Sequence, residues 1–193
     1  MSPDAGAWRR YVAGLATALM VLVVAGCGDD SGSPTDEPTL TKDGLTVPGT
    51  TLSVGDTATV SRTNGTGTIE LTVTEIVQGT SEDLADTGLE DFEKKTPYYV
   101  SFEMKVVSGD VYGMTMRHYL TAWAGDEQVS ELVPFERFPL CQEVNFPMDA
   151  AVESTISSCL PFATDKGAAA VDEVVFDNDD TYELADDTAV TWK

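Results

Sequence analysis

Hydrophobic positions along the chain follow two regimes. Residues 11–26 hold thirteen apolar side chains in sixteen and no charge, a block without periodicity. From residue 51 onward, apolar residues come in short alternating runs punctuated by Gly, Asn and Asp. Val100, Phe102, Met104 and Val106 alternate with Ser101, Glu103 and Lys105, the clearest period of two in the chain, and Ser108-Gly109-Asp110 ends it. Ile69, Leu71 and Val73 alternate with Glu70 and Thr72, after an Asn64-Gly65 pair of the kind that makes two-residue hairpin turns. Leu52, Val54 and Val60 flank Gly55-Asp56 in the same manner. Further strands are predicted over residues 116–123, 128–133, 152–162, 171–176 and 189–192, with Gly125-Asp126 turning one hairpin. About seven or eight short strands with no long helical pattern predict an all-β domain over residues 49–193, built as a β-sandwich. Residues 81–95 are the exception. Leu84, Leu89 and Phe92 sit there among Glu82, Asp83, Asp86, Glu90, Asp91 and Glu93, and one or two helical turns after an N-cap at Ser81 suit acids placed in a first turn.

Arg9-Arg10 followed by the uncharged block has the order of a secretory signal peptide, a positive region and then a hydrophobic one. The block falls short of the roughly 20 apolar residues that cross a bilayer. It ends in Val24-Ala25-Gly26-Cys27, which resembles the lipobox of bacterial lipoproteins. That resemblance implies cleavage after residue 26 and a diacylglyceryl thioether on Cys27; the alternative is an ordinary thiol in an uncleaved anchor. Two acyl chains hold a protein stably on a membrane where one holds it only marginally. The general secretory route fits Tyr11-Val12 after the arginine pair better than the twin-arginine route does. Residues 27–48 carry almost nothing apolar and read as a flexible acidic linker, whose reach is on the order of 25 Å.

Val54-Gly55-Asp56, the Thr72-Val73-Thr74 strand, the acidic insert, and Lys95-Thr96-Pro97-Tyr98-Tyr99-Val100 opening an alternating strand together resemble the telokin-like, immunoglobulin-like domain of Gram-positive surface lipoproteins. The resemblance spans roughly residues 51–193 and rests on pattern. It implies an immunoglobulin-like β-sandwich on the extracytoplasmic face of the cell membrane and carries no catalytic residues.

Charge changes the picture next. Asp and Glu number 33 against 11 Lys and Arg, a formal net charge of -22, which excludes nucleic-acid binding through phosphate neutralisation. With Cys27 assigned to lipid, Cys141 and Cys159 remain as a pair in an exported chain, where a disulfide is expected, the alternative being two buried thiols. His118 is the sole histidine, read as a strand residue with its own hydrogen bonds, and no nucleophile motif accompanies it. The domain is therefore expected not to be an enzyme. Asp177-Asn178-Asp179-Asp180, then Glu183, Asp186 and Asp187, are rich in the hard oxygens that calcium takes, yet they lack the spacing of a twelve-residue calcium loop. Asp177, Asp179 and Asp180 are the candidate cation ligands. Phe135, Arg137 and Phe138, set between prolines, are the candidate partner contact, since aromatic and arginine side chains dominate binding hot spots. The sequence thus predicts a lipid-anchored extracytoplasmic module that binds a cell-envelope or extracellular ligand and needs no cofactor. A cation-binding carrier that uses the C-terminal acidic loop is the alternative.

Overall fold

Alternation in the two central apolar stretches becomes the longest pair of strands. The computed structural model describes residues 38–63, 66–133 and 138–193, and within them strand β3 (Gly67–Gln78) lies antiparallel to β4 (Lys95–Gly109). Ile69, Leu71 and Val73 on β3, and Val100, Phe102, Met104 and Val106 on β4, are all buried on one face. Their polar neighbours point away from it, as a period of two requires. At the end of β4, Gly109 has φ +74, and a Cβ there would run into the Thr66 carbonyl, so the close approach needs glycine.

Flanking these are β1 (Thr51–Leu52), β2 (Thr57–Ser61), β5 (Leu120–Ala124), β6 (Glu127–Glu131), β7 (Thr155–Asp165), β8 (Glu173–Phe176) and β9 (Val190–Trp192). All nine join in one sheet in the order β1-β9-β8-β5-β6-β7-β4-β3-β2. The expected all-β domain is present, and its strands join as a single nine-stranded sheet. The physical reason lies in β6, whose residues 127–129 pair with β5 while Ser130 and Glu131 pair with Ala163 and Phe162 of β7. One strand serves both halves, and no break opens between them. Leu52 and Val60, which flank Gly55-Asp56, fall in the short strands β1 and β2, β1 having two residues, too few to show a period.

The sheet must curl. Strands β1 and β2 stand at opposite ends of the strand order, yet only residues 53–56 separate them, a link that spans at most about 17 Å. Its two edges therefore lie near each other and the sheet is nearly closed. One core fills the interior, where Phe102, Met104 and Leu160 from one half meet Leu120, Val174, Phe176, Val190 and Trp192 from the other. Tyr182 and Trp192 are fully buried, with Tyr182 stacking edge-on to Phe176 and Trp192 Nε1 donating to the Asp56 carbonyl at 2.9 Å.

Three local readings differ from the sequence expectation. Residues 38–48, assigned to the flexible linker, are tied down in part: Thr46 is buried, its N–H donates to Thr59 O at 2.8 Å and its hydroxyl oxygen accepts from Thr59 N at 2.8 Å. This segment covers the outer edge of β2, supplying partners to backbone groups that an edge strand leaves open. Residues 116–118 form a 3-10 turn instead of the start of a strand, and His118 is exposed on it. Residues 81–95 hold two 3-10 turns, Ser81–Leu84 and Phe92–Lys94. The first is capped at Thr80, one residue before the expected position, with Asp83 accepting from the Thr80 N–H at 2.9 Å. The Asn64-Gly65 turn, Cys27 and the signal peptide lie outside the described residues.

Candidate functional site

Residues 138–154, which lead to the start of β7, hold turns but no strand or helix, and Phe138 of the sequence-predicted partner contact belongs to them. Cys141 in this segment is bonded to Cys159 on β7, 18 residues away, and both residues are buried. Backbone bonds brace the same region: Cys159 N–H donates to Gln142 O at 3.1 Å, and Val144 N–H to Ser158 Oγ at 2.8 Å. Leu84, Tyr99, Leu132, Phe138, Cys141, Cys159 and Ala163 form a second apolar cluster, separate from the main core. Phe138 packs on Tyr99 with ring centroids 5.6 Å apart, and only 6% of it is exposed.

That burial corrects one reading. Phe138 is an anchor of this small core, because a ring three residues before a disulfide-bonded cysteine is drawn inward with it. It does not present itself to a partner. Phe135 and Arg137 lie outside the described residues. Other apolar side chains are exposed here: Leu140, Val144, Met148 and Val152 of the segment, with Val133 before it, make up half of the exposed large hydrophobics among the described residues. Their clustering in one stretch of 20 positions, on an acidic protein, is what an isolated surface leucine never signals.

Beside the segment lies a charged cluster that the sequence did not reveal, since its members are far apart in the chain. Arg117 donates through Nε to Glu143 Oε2 at 2.8 Å, and its other nitrogen lies 3.2 Å from Glu131 Oε1. Thr115 Oγ1 bonds the second oxygen of Glu143. Glu143 is thus well satisfied, while Glu131 Oε1 is buried beside Arg117 without an aligned hydrogen bond. Burial pushes the Glu131 carboxyl above the ordinary value; Arg117 opposes the shift, Glu143 adds to it, and His118 opposes it. The cluster clasps the disulfide-bonded segment to the 3-10 turn and to β6. Spacing in the sequence offered no signal for it beyond the disulfide itself, which places Glu143 next to β7.

The C-terminal acidic run is used internally. Asp177 Oδ1 accepts from Asp179 N at 2.9 Å, and Oδ2 from Leu184 N at 3.0 Å. Asn178 is buried, its amide donating to Ser61 O at 3.0 Å and its oxygen accepting from Tyr182 N at 2.9 Å. Short polar side chains of this type build turns by bonding backbone a few residues on. Asp179 stands in the left-handed region at φ 53. Among the described residues no group of three His, Cys, Asp or Glu side chains is placed to hold a metal ion, and of the candidate cation ligands Asp177, Asp179 and Asp180 both oxygens of Asp177 accept from backbone N–H groups. Asn178 Oδ1 also accepts from Asp180 N at 3.2 Å, so Asp177 and Asn178 both spend their oxygens on backbone N–H groups of this loop.

Comparison of the fold with solved structures finds two similar proteins. A secreted protein of Mycobacterium tuberculosis, MPT63, superposes with a TM-score of 0.50 at 12% identity, over 75% of this chain and 96% of its own. A candidate lipoprotein of Bacillus subtilis, YcdA, superposes with a TM-score of 0.40 at 14% identity, over 69% of this chain and 37% of its own. The likeness to MPT63 is one of fold. No protein-family model matches the sequence, and no curated protein matches it.

Proposed function

We propose that the protein is an extracytoplasmic lipoprotein, held on the cell membrane by a diacylglyceryl group on Cys27, that works as a non-enzymatic binding module with an immunoglobulin-like domain. One observation carries the binding part: residue 133 and the disulfide-braced residues 138–152 together hold half of the exposed large hydrophobics among the described residues. A partner surface needs apolar groups on a scaffold that does not have to be ordered on contact, because ordering subtracts from affinity. The disulfide and the Arg117 clasp supply that scaffold. Export is supported by the Cys141–Cys159 bond, since such bonds persist in oxidising compartments, and by the lipobox-like Val24-Ala25-Gly26-Cys27. A fold shared with a secreted mycobacterial protein fits the same location.

The partner is an envelope or extracellular ligand that accepts an apolar contact from a negatively charged body. A photo-crosslinking residue placed at Leu140 or Met148, both exposed, tests this on intact cells, with the exposed Val77 of β3 as the control position. The reading predicts an adduct from positions 140 and 148 that excess unlabelled protein competes away. Adducts from position 77 alone would contradict it.

A further inference from the structure

Strand β3 outruns one of its neighbours. β2 pairs with residues 68–72 of β3, whereas β4 pairs with it as far as Gln78. Gly55 N–H donates to Val73 O at 2.8 Å, and beyond that bond no described strand or loop is bonded to the β2 side of β3. Residues 74–78 are therefore an open edge, about 16 Å long. At its far end Gly79 N–H donates to Pro97 O at 2.9 Å, towards β4. Backbone groups alternate in direction along a strand, so Gln78 and Ile76 turn their N–H and C=O outward.

Elsewhere the protein blunts such an edge, since Thr46 and its neighbours give partners to β2. A lysine, a proline or an inward-facing charge would keep this one from pairing. Thr74-Glu75-Ile76-Val77-Gln78 contains no lysine or proline, and the residue that turns inward to pack on the main core is Ile76. The bulge between Val73 and Glu75 lies at the near end and leaves residues 75–78 in unbroken register with β4. The surroundings carry one sign. Glu75 stands opposite Ser101, and Glu103, two positions along β4, is its diagonal neighbour on the same exposed face. Asp56 follows Gly55 at one end, and Glu82 follows the edge at the other. None of these four carboxylates is in an ion pair among the described residues. Lys105, further along β4, is held by Glu70 and Glu153, and no Lys or Arg occurs from residue 63 to residue 93.

We propose that residues 74–78 are a docking edge for a basic, extended polypeptide segment, which adds to the sheet as a further strand beside β3. Backbone bonds to Ile76 and Gln78 hold it, and its lysine or arginine side chains meet Glu75 and Glu103. A second copy of the chain fits poorly, because pairing two such edges brings like charges together on bodies of net charge -22 each. This edge is separate from the segment of residues 138–152. Val77 borders it, so an adduct from position 77 in addition to those from 140 and 148 reports this second contact.

The test uses the full chain in a neutral detergent, followed by amide NMR during titration with a short end-blocked peptide of alternating lysine and valine. Saturable shifts at residues 74–78 are expected, with slower hydrogen exchange at the Ile76 and Gln78 amides. The same peptide N-methylated at alternate residues keeps its charge and loses its strand-pairing N–H groups, and it should bind about tenfold more weakly or worse. Gln78→Pro removes one outward N–H at an exposed position, where an edge strand tolerates proline. It should melt near the wild-type temperature and weaken the lysine peptide about tenfold. Glu75→Gln combined with Glu103→Gln, both exposed, should weaken binding and flatten its dependence on salt. Three results would overturn the proposal: no shift at residues 74–78 with the lysine peptide; equal binding of the N-methylated peptide, which would mean that charge alone holds it; or shifts at these residues that grow with protein concentration in the absence of peptide, which would mean that a second copy covers the edge.

Discussion

Tyr182 shows how much a single buried polar group organises here. Its ring is fully buried, and its hydroxyl donates to Thr46 O at 2.8 Å with Thr59 O at 3.3 Å, joining the covering segment to β2. Burial pushes its phenol up to about 12. A tyrosine whose folded pKa is raised contributes stability that is complete below its ordinary pKa near 10 and is lost as pH climbs from there towards 12. Tyr182→Phe should therefore cost about 1–2 kcal/mol in urea unfolding at neutral pH and flatten the alkaline part of the stability profile. The carboxylates around Arg117 differ in the same way from each other. Glu143→Gln removes an aligned charge-assisted bond and should cost about 1–2 kcal/mol. Glu131, raised mainly by its burial, favours the folded state only when protonated, so its ionisation lowers stability as pH rises through that raised value. Glu131→Gln should leave the neutral-pH midpoint unchanged or higher, with the difference from wild type vanishing in acid. A loss as large as that of Glu143→Gln would contradict the assignment. None of this was legible beforehand, because Arg117, Glu131 and Glu143 belong to three elements that only tertiary pairing brings together.

The elements themselves were legible to the degree that they repeat. Strands β3 and β4 are long and half-buried, so Ile69 to Val73 and Val100 to Val106 announce them by alternation. Strand β7 hides its period, since Ser158 to Thr164 are buried on both faces, one against the main core and the other under the disulfide-bonded segment. The 3-10 turn at Met116–His118 has a strand-like pattern because Met116 is apolar, and the structure buries it, a requirement that either conformation meets. Residues 40–47 looked like linker since their contribution is made through backbone and the Thr46 hydroxyl, not through apolar side chains. The cysteine pair, by contrast, was readable from compartment and parity alone. Closing 18 residues corresponds to about 3 kcal/mol in the chain-entropy model. Reduction should lower the unfolding free energy by that order and loosen the segment first. Hydrogen exchange at Cys159 and Val144, whose amides bond across the bridge, reads the second effect, and unchanged protection there after reduction would count against the brace.

At the scale of the whole molecule, a sheet that nearly closes on itself brings its end strands β1 and β2 near each other, and backbone groups of β2 find partners in residues around Thr46. A heavily acidic chain is repelled by anionic headgroups, so under the proposed function the lipid on Cys27 alone would hold it at the membrane. The C-terminal acidic loop bonds its own backbone, so calcium at millimolar concentration should leave the thermal midpoint essentially unchanged; a rise of several degrees would restore the cation-binding alternative. The central claim is that the domain is exported and held by lipid on Cys27, and the mass of the intact protein extracted from membranes tests it most directly. The account predicts a chain that begins at Cys27, carries a diacylglyceryl group there, and gains two hydrogens on reduction as Cys141 and Cys159 separate, with Cys27→Ser abolishing the lipid mass and membrane retention together. A membrane-bound protein that still begins at Met1, or one with Cys27 unmodified, would contradict it.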